Sequence, residues 1–257
     1  MEKKQVRAWW PQSPRPGNFG DILTPIILDK VFGVQPIFTL PPHRDPVIYG
    51  VGSIIHRAEG KSVIWGSGAI AADRPVKKDA TYLAVRGPRT FELLRKQGIE
   101  CPQVLGDPAM LMPLIFNEDT PQEYEYGIFA HYVDTELVTS WYGDEEDVLI
   151  INPLNVDPIE VIKQVLRCKN IISSSLHGII IAQAYGIPAV WAKHSNLLGG
   201  DDIKFHDYYE SVNRTAVPVM FKEKKPLTEL ADFDYNLRGD INLTNLSMSM
   251  EAYLEFA

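Results

Sequence analysis

Three short segments of the sequence place basic or proton-exchanging side chains directly after an apolar run. Arg86 and Arg89 flank a Gly-Pro pair, and residues 173–178 contain His177 after three serines. A third segment, residues 204–208, begins with a lysine. Guanidinium and ammonium groups bind phosphates and carboxylates, whereas an imidazole exchanges protons near neutral pH. Together these residue types predict a site that binds a small anion and moves a proton.

The two arginines surround a predicted turn between a strand and a helix. Arg86 follows an apolar run at the position that points into a cleft, and Arg89 lies in the first turn of a helix predicted over residues 88–97. The free N–H groups and the dipole at a helix N-terminus favour an anion. The pair therefore predicts phosphate or carboxylate binding; the alternative is that both arginines are solvated on the surface.

His177 lies in the first turn of another predicted helix and follows a hydroxyl-rich turn. Ser173, Ser174 and Ser175 end the apolar strand that precedes it. Each serine can cap the helix or bind a phosphate oxygen. A lone histidine is often structural, but one in this position is well placed to exchange a proton with a bound substrate.

Two further segments offer candidates of the same kind. Lys204 lies between apolar neighbours in an otherwise acidic stretch, and His131 follows another predicted strand. Residues 17–21 read Gly-Asn-Phe-Gly-Asp, in which the glycines allow a ligand to approach the backbone. Asn18 and Asp21 are then available to bind a hydroxyl or to cap the following helix.

The sequence lacks the spacings that hold metals or nucleotides. It contains no His-x-x-x-His or His-Glu-x-x-His pair, no Gly-x-Ser-x-Gly turn, no Walker sequence and no Gly-x-Gly-x-x-Gly. We therefore expect no metal site and no cofactor.

The elements that must position these residues alternate between short β-rich runs and helical stretches. Such alternation predicts an α/β fold with mostly parallel sheets. The pattern stops at an acidic, proline-containing segment near residue 120 and then starts again. We predict two α/β halves, residues 1–120 and 121–226, and a tail, residues 227–257, that packs back on the first half.

Composition and charge narrow the class of protein further. The 257 residues carry 33 acidic and 25 basic side chains, a formal net charge of −8 that disfavours nucleic-acid binding. Pro11 and Pro14 interrupt the start before any signal-like apolar segment, and no run approaches the roughly 20 apolar residues of a membrane span. Cys101 and Cys168 resemble isolated buried thiols. We expect a cytoplasmic protein.

Taken in order, seven segments resemble the polysaccharide pyruvyl transferase family. They are residues 17–23, 66–68, 85–90, 105–109, 173–178, 182–188 and 204–208. Each segment is short and some are individually common, but their order along most of the chain is specific. The Ser-Ser-Leu-His-Gly and Lys-Phe-x-Asp-Tyr forms are most similar to exopolysaccharide ketal pyruvyl transferases.

The resemblance implies two Rossmann-like parallel-sheet halves that face a cleft, as in the glycosyltransferase-B arrangement. The first half would bind the acceptor and the second the donor. The implied reaction transfers a pyruvyl group from phosphoenolpyruvate, a substrate rather than a cofactor, to two sugar hydroxyls and gives a cyclic ketal and phosphate. The acceptor would be a glycan or a lipid-linked oligosaccharide, and the latter is compatible with peripheral membrane association.

The family's functional positions fall on Arg86, His177 and Lys204. On this basis His177 is the general acid and base, while Arg86 and Lys204 hold the phosphate and carboxylate of the donor. The remaining candidate binding residues are Asn18, Asp21, Arg89, His131, Ser173, Ser174 and Ser175.

The sequence departs from the family at one position of the donor site, and two alternatives to the implied function stay open. Ser175 stands where many family members have an arginine, so a cationic donor contact is missing or is supplied by Arg89 or His131. The first alternative is a nucleotide-sugar glycosyltransferase of the same architecture, for which Glu210 is a candidate ribose-binding carboxylate. The second is a non-catalytic glycan-binding relative.

Overall fold

A computed structural model describes residues 2–14, 17–155, 157–215, 217–229 and 242–256. These residues form two sheets, seven α-helices and several 3₁₀ turns. Across these ranges, no helix combines the length and the apolar character needed to cross a bilayer.

The first sheet has five parallel strands in the order β2-β1-β3-β4-β5. They are β1 (Gln5–Trp9), β2 (Gln35–Phe38), β3 (Val47–Tyr49), β4 (Ser62–Trp65) and β5 (Thr81–Ala84). Its inner strands β3 and β4 are buried on both faces, as expected for a parallel sheet with covered faces. The sequence pattern identified four of these strands but not β2, whose residues are mostly half-buried at the sheet edge.

The second sheet has five parallel strands in the order β10-β9-β8-β6-β7. They are β6 (Tyr124–Phe129), β7 (Val148–Ile150), β8 (Cys168–Ser173), β9 (Ala189–Lys193) and β10 (Val219–Met220). The irregular residues 116–123 connect this sheet to the first. The predicted class, two parallel α/β sheets with helices on them, is confirmed.

Five of the described helices pack on the two sheets, and two of them begin at a proline. In the first half they are α1 (Leu23–Lys30) and α2 (Pro88–Lys96); in the second, α3 (Thr135–Tyr142), α4 (Pro158–Leu166) and α5 (Leu176–Ala184). Proline occupies the first turn of α2 and α4, where its missing N–H costs no hydrogen bond. All nine residues of α5 are buried, so this helix forms a central part of the core.

One hydrophobic core continues across both sheets. The 3₁₀ helix Pro108–Leu114, which the sequence pattern did not predict, packs between α1 and α5. Phe19 of the first half meets Phe129 of the second edge to face, with ring centroids 5.6 Å apart. The backbone N–H of Phe19 also donates to the carbonyl of Pro153 at 2.7 Å. The two halves are therefore packed directly against each other.

Helix α6 (Ile203–Ser211) joins the two halves a second time. It follows β9, and Phe205 of the helix stacks on Trp191 of that strand with ring centroids 4.3 Å apart. The helix also packs against α2 of the first half. Asp207 accepts hydrogen bonds from Arg86 and from both the backbone N–H and the hydroxyl of Thr90. A Cβ at Gly87 would lie 1.9 Å from the carbonyl oxygen of Asp207, so only glycine permits this close approach.

Helix α7 (Leu243–Phe256) packs on the first half of the chain. Leu246 and Met250 are buried, and the indole N–H of Trp65 donates to the carbonyl of Leu246 at 2.9 Å. Of the tail predicted over residues 227–257, residues 230–241 and 257 lie outside the described part of the chain.

A buried and an exposed ion pair lie where α6 meets α2 and the residues just before it. Removing one partner from each pair should lower the free energy of unfolding by very different amounts. Arg86 and Asp207 are both fully buried, with Nη2 3.1 Å from Oδ2. Asp207→Asn should lower the free energy of unfolding by about 3–5 kcal/mol, because it leaves a buried guanidinium without its counter-charge. Denaturant-induced unfolding followed by circular dichroism measures the change.

Glu210→Gln is the matched control for this experiment. It breaks the pair of Glu210 with Arg89 between the same two helices, in which the arginine side chain is 41% exposed. We expect a loss below about 1 kcal/mol for this exposed pair. Equal losses for the two variants would contradict the dominant role of the buried pair.

Candidate functional site

The candidate site lies at the junction of the two sheets, where loops at the carboxyl ends of their strands meet. We call Asp21, Asp107, His131, His177 and Lys204 the junction cluster. Asp21 and Asp107 belong to the first half, His131 and His177 to the second, and Lys204 to the bridging helix α6. The site is therefore composite, and neither half contains it alone.

His177 occupies the centre of the junction cluster. It lies in the first turn of α5, 9% exposed, with its ring against the loop of residues 17–21. A Cβ at Gly20 would lie 1.9 Å from Nδ1 of His177, so the ring takes the space that any other side chain would fill. The other ring nitrogen, Nε2, is 3.7 Å from Oδ2 of Asp107.

Asp107 is the residue of this cluster that sequence reasoning missed. It is fully buried at the N-terminus of the 3₁₀ helix, where Oδ1 accepts from the backbone N–H of Ala109 at 3.0 Å. In sequence, Asp107 and Pro108 look like an ordinary helix cap. Capping uses only one of the two carboxylate oxygens and leaves the role of the other open. The signal that marked it was its place in the family-like segment 105–109.

Asp21 approaches His177 from the other half of the molecule. Burial raises the pKa of its carboxyl to about 6, although His177, the backbone N–H of Asn18 and Lys204 act in the opposite direction. Asn18 donates that N–H to Oδ2 of Asp21 at 3.2 Å, and its side-chain oxygen accepts from the N–H of Gly20 at 3.1 Å. Asn18 thus shapes the loop, and Asp21 is a carboxylate ready to take up a proton.

Lys204 brings a positive charge to the cluster from α6. Burial lowers the pKa of its ammonium to about 8, and the charge of Arg86 acts in the same direction. Its Nζ lies 5.2 Å from the ring centroid of Phe205. The carboxylates of Asp202 and Asp21 act in the opposite direction and raise the pKa of this ammonium. A cation partly removed from water attracts an anion more strongly than one in bulk solvent.

His131 faces the same charge from the end of β6. Burial and the nearby Lys204 lower the pKa of its imidazole to about 4, so it is neutral at neutral pH. Its ring lies 4.4 Å from that of Tyr132. A neutral imidazole here can hydrogen-bond a ligand but adds no positive charge.

The three serines have different surroundings. Ser173 and Ser174 are fully buried; the hydroxyl of Ser173 bonds to the carbonyl of Phe129 at 2.7 Å, and that of Ser174 to the carboxylate of Asp134 at 3.1 Å. These two hydroxyls hold the turn that presents His177. Ser175, at the N-cap of α5, is partly exposed, and its side chain makes no capping hydrogen bond.

Both arginines that were predicted to bind the donor anion have acceptor groups of the protein as partners in the structure. Arg86 is fully buried: beyond its bonds to Asp207, Nη1 donates to Ser53 at 2.7 Å and Nη2 to the carbonyl of Ala69 at 2.9 Å. The guanidinium is therefore occupied by protein acceptors, because α6 covers the strand end on which it lies. Arg89 is on the surface with Glu210, which accepts two of its N–H groups.

The junction cluster thus combines proton-exchanging groups with the cationic side chain of Lys204. No group of three or more metal-ligating side chains occurs among the described residues. The arrangement can bind an anion at Lys204 and exchange protons through His177 and Asp21. Direct substrate contact by each of the sequence-derived candidates stays a prediction.

Comparison with known proteins places these residues in a family. The family model described as polysaccharide pyruvyl transferase matches residues 18–196. An uncharacterized protein of Acanthamoeba polyphaga mimivirus is 38% identical over 172 residues, 64% of this chain and 59% of that protein. The succinoglycan biosynthesis protein ExoV of Rhizobium meliloti is 26% identical over 216 residues, 79% of this chain and 64% of that protein.

The chain spans less than two thirds of the length of either relative. Among solved structures, a functionally uncharacterized protein of Klebsiella pneumoniae matches with a TM-score of 0.49 and 15% identity, over 81% of this chain and 88% of that one.

The raised pKa of Asp21 predicts that this residue destabilises the folded protein at neutral pH. The carboxyl has a pKa of about 6 in the folded state against an ordinary 3.8, so folding opposes its ionisation above that range. Asp21→Asn should therefore stabilise the protein by about 1–3 kcal/mol at pH 8, and the gain should disappear as the pH falls below about 4.

Denaturant unfolding of both proteins between pH 4 and 8 measures this difference. Asp45→Asn, at an exposed carboxylate of the first half, controls for general loss of negative charge. A gain that is independent of pH would contradict the assignment of a desolvated, ionised Asp21.

Proposed function

Because this chain belongs to the polysaccharide pyruvyl transferase family, we propose that it transfers a pyruvyl group from phosphoenolpyruvate to a sugar. The acceptor presents two hydroxyls within a polysaccharide or a lipid-linked oligosaccharide, and the products are a pyruvate ketal and phosphate. The similarity to ExoV, a succinoglycan biosynthesis protein, supports a polysaccharide acceptor. The observation that carries the proposal is the junction cluster, in which the charges of His177 and Lys204 both act on the carboxyl of Asp21.

The proposal includes the arrangement of the two substrates. The sheets would face each other in the glycosyltransferase-B manner, with the donor held mainly by residues of the second half and α6. The acceptor would approach over the loop of residues 17–21 from the first half. His131, Lys204 and Ser175 are partly exposed, which makes their side of the cluster the entrance.

The reaction needs one proton delivered to carbon and two removed from oxygen. Protonation of the methylene carbon of phosphoenolpyruvate makes the adjoining carbon oxocarbenium-like, and a sugar hydroxyl attacks that carbon. The C–O bond to phosphate breaks, and the second hydroxyl closes the ring. Of the two hydroxyl protons, one replaces the proton given to carbon and the other leaves on the phosphate.

His177 is the proposed general acid for the methylene carbon. Its ring is held by Gly20 on one side and lies 3.7 Å from Asp107 on the other, so its orientation is restricted from both halves. A positioned acid or base of this kind contributes roughly 10²–10⁴-fold to the rate.

Asp21 is the proposed base for a sugar hydroxyl. A carboxyl with a pKa of about 6 is mostly ionised at neutral pH and is a much better proton acceptor than an ordinary aspartate. It lies on the acceptor side of His177, so a hydroxyl bound by the loop of residues 17–21 would meet it first.

Lys204 is the proposed ligand of the donor anion. Its ammonium has a pKa lowered to about 8, and a bound phosphate or carboxylate would favour the charged form. Arg86 acts indirectly: its charge lowers the pKa of Lys204, and its Nε–H group holds α6 through the carboxylate of Asp207. Charge stabilisation of the departing phosphate in such a desolvated site is worth several kcal/mol.

Phosphate release from phosphoenolpyruvate tests the proposal directly. The screen uses β-galactosides, glucosides and N-acetylhexosamines as acceptors, with mass spectrometry of the products. His177→Gln should lower kcat by about 10²–10⁴-fold, because a neutral amide cannot donate a proton to carbon. The His43→Gln variant is the control, since this histidine lies outside the cluster in an exposed loop beside Asp45.

Several outcomes would contradict the proposal. Undiminished phosphate release by His177→Gln would exclude this histidine as the acid. A rise in melting temperature with a nucleotide sugar but not with phosphoenolpyruvate would instead indicate a glycosyltransferase. Saturable glycan binding without phosphate release for any acceptor would indicate a non-catalytic relative.

A further inference from the structure

The two ring nitrogens of His177 have different surroundings. Nε2 is enclosed and has no hydrogen-bond partner within the described residues, and its nearest charged neighbour is Oδ2 of Asp107 at 3.7 Å. Nδ1 lies on the side of Gly20 and Asp21, in the space where a Cβ of residue 20 would be. Only Nδ1 therefore faces the loop over which the acceptor would approach.

The carboxylate of Asp107 faces the enclosed Nε2 of His177. The residue is fully buried, and its Oδ1 is already bonded to the N–H of Ala109. Its Oδ2 is enclosed and, over the described residues, has no hydrogen bond. A buried carboxylate oxygen without a donor is costly, and an unpaired ring nitrogen beside it is the natural partner.

We propose that Asp107 is a positioning residue that holds the proton of neutral His177 on Nε2 and thereby makes Nδ1 the reactive nitrogen. The separation of 3.7 Å needs to shorten by less than about 1 Å to become a hydrogen bond of ordinary length. The catalytic part of this inference rests on the proposed function, whereas the position of the proton does not.

The consequence for the reaction is a defined path for one proton. When Nδ1 gains a proton, the ring becomes an imidazolium whose second N–H remains bonded to the ionised Asp107. The N–H bond at Nδ1 then breaks as the C–H bond forms at the methylene carbon, and the ring returns to its neutral form. A sugar hydroxyl proton, taken up first by Asp21, then returns to Nδ1 and restores the charged ring, so this path passes no proton through Asp107.

The chain offers an internal comparison for the other role of Asp107, capping a helix. Asp157 also precedes a proline, and its Oδ1 accepts from the backbone N–H of Ile159 at 2.9 Å. This second Asp-Pro cap is exposed. Capping therefore requires neither the burial of Asp107 nor the orientation of its second oxygen toward a histidine ring.

Asp107→Asn separates the two roles. An asparagine keeps the capping oxygen toward Ala109 but places an N–H₂ donor beside Nε2, which drives the ring proton to Nδ1. Nitrogen-15 NMR of the histidine-labelled full chain at high pH should show the Nε2–H tautomer in the wild type and the Nδ1–H tautomer in this variant. Asp157→Asn, the matched cap variant, should leave the wild-type tautomer unchanged.

Kinetics give the second readout. With phosphoenolpyruvate as the varied substrate, Asp107→Asn should lower kcat on the order of 10³–10⁴-fold, by analogy with a wrong histidine tautomer in a serine protease. Its KM should change only a few-fold, because Lys204 still holds the donor. Asp107→Ser keeps a capping oxygen, but its shorter side chain places no amide N–H₂ beside Nε2. Its kcat should therefore fall between those of the wild type and Asp107→Asn.

The NMR and the kinetic measurements test different parts of the inference. An Nδ1–H tautomer in the wild type, or unchanged tautomer and kcat in a folded Asp107→Asn, would overturn the inference. Equal kcat values for Asp107→Asn, Asp107→Ser and Asp157→Asn would also overturn it. If the wild type releases no phosphate, the proposed function fails, and the NMR comparison alone still decides which nitrogen Asp107 holds protonated.

Discussion

The buried carboxylate of Asp207 is the interaction on which the rest of the structure depends. It accepts from Arg86 at 3.1 Å, from the hydroxyl of Thr90 at 2.7 Å and from its backbone N–H at 2.8 Å. These bonds fasten α6, which follows the second sheet, to the first turn of α2 in the first half. Because Lys204 precedes Asp207 by three residues on the same helix, the same bonds also set where its ammonium lies.

Two glycines make the contact between the halves close enough for chemistry. At Gly87 the backbone meets the carbonyl of Asp207, and at Gly20 it meets the ring of His177. A methyl group at either position would separate an element of one half from an element of the other. The site is thus made by two close approaches, and its geometry depends on the packing between the sheets as much as on the residues that do chemistry.

Enclosure explains the unusual electrostatics of the junction. Burial raises the pKa of Asp21 and lowers those of Lys204 and His131, each shift disfavouring the charged form. In a chain with a net charge of −8, the ammonium of Lys204 thus lies beside groups that exchange protons. The folded protein bears a cost in stability at the place where a small anion would be bound, and such a cost is common at functional sites.

Local patterns in the sequence predicted most of the fold because the start of a helix or the burial of a strand depends mainly on residues close together in the chain. Proline at the start of α2 and the buried apolar run of β8 are local signals, and both elements formed as predicted. The edge strand β2 was missed because its half-buried residues carry no clear alternation. The 3₁₀ helix Pro108–Leu114 was missed because it is stabilised by packing between α1 and α5, which lie far away along the chain.

By itself, the sequence determined the two parallel α/β sheets, the family and the residue types placed at strand ends. Only the tertiary structure decided which of those residues meet. It enclosed Arg86 beneath α6, brought Lys204 near Asp21 and His131, and placed Asp107 on the enclosed side of His177. The physical reason is that charge pairing and desolvation depend on distances between residues about 70 to 120 positions apart. No local pattern encodes such distances, whereas helix caps, turns and apolar runs are set by neighbours within a few residues.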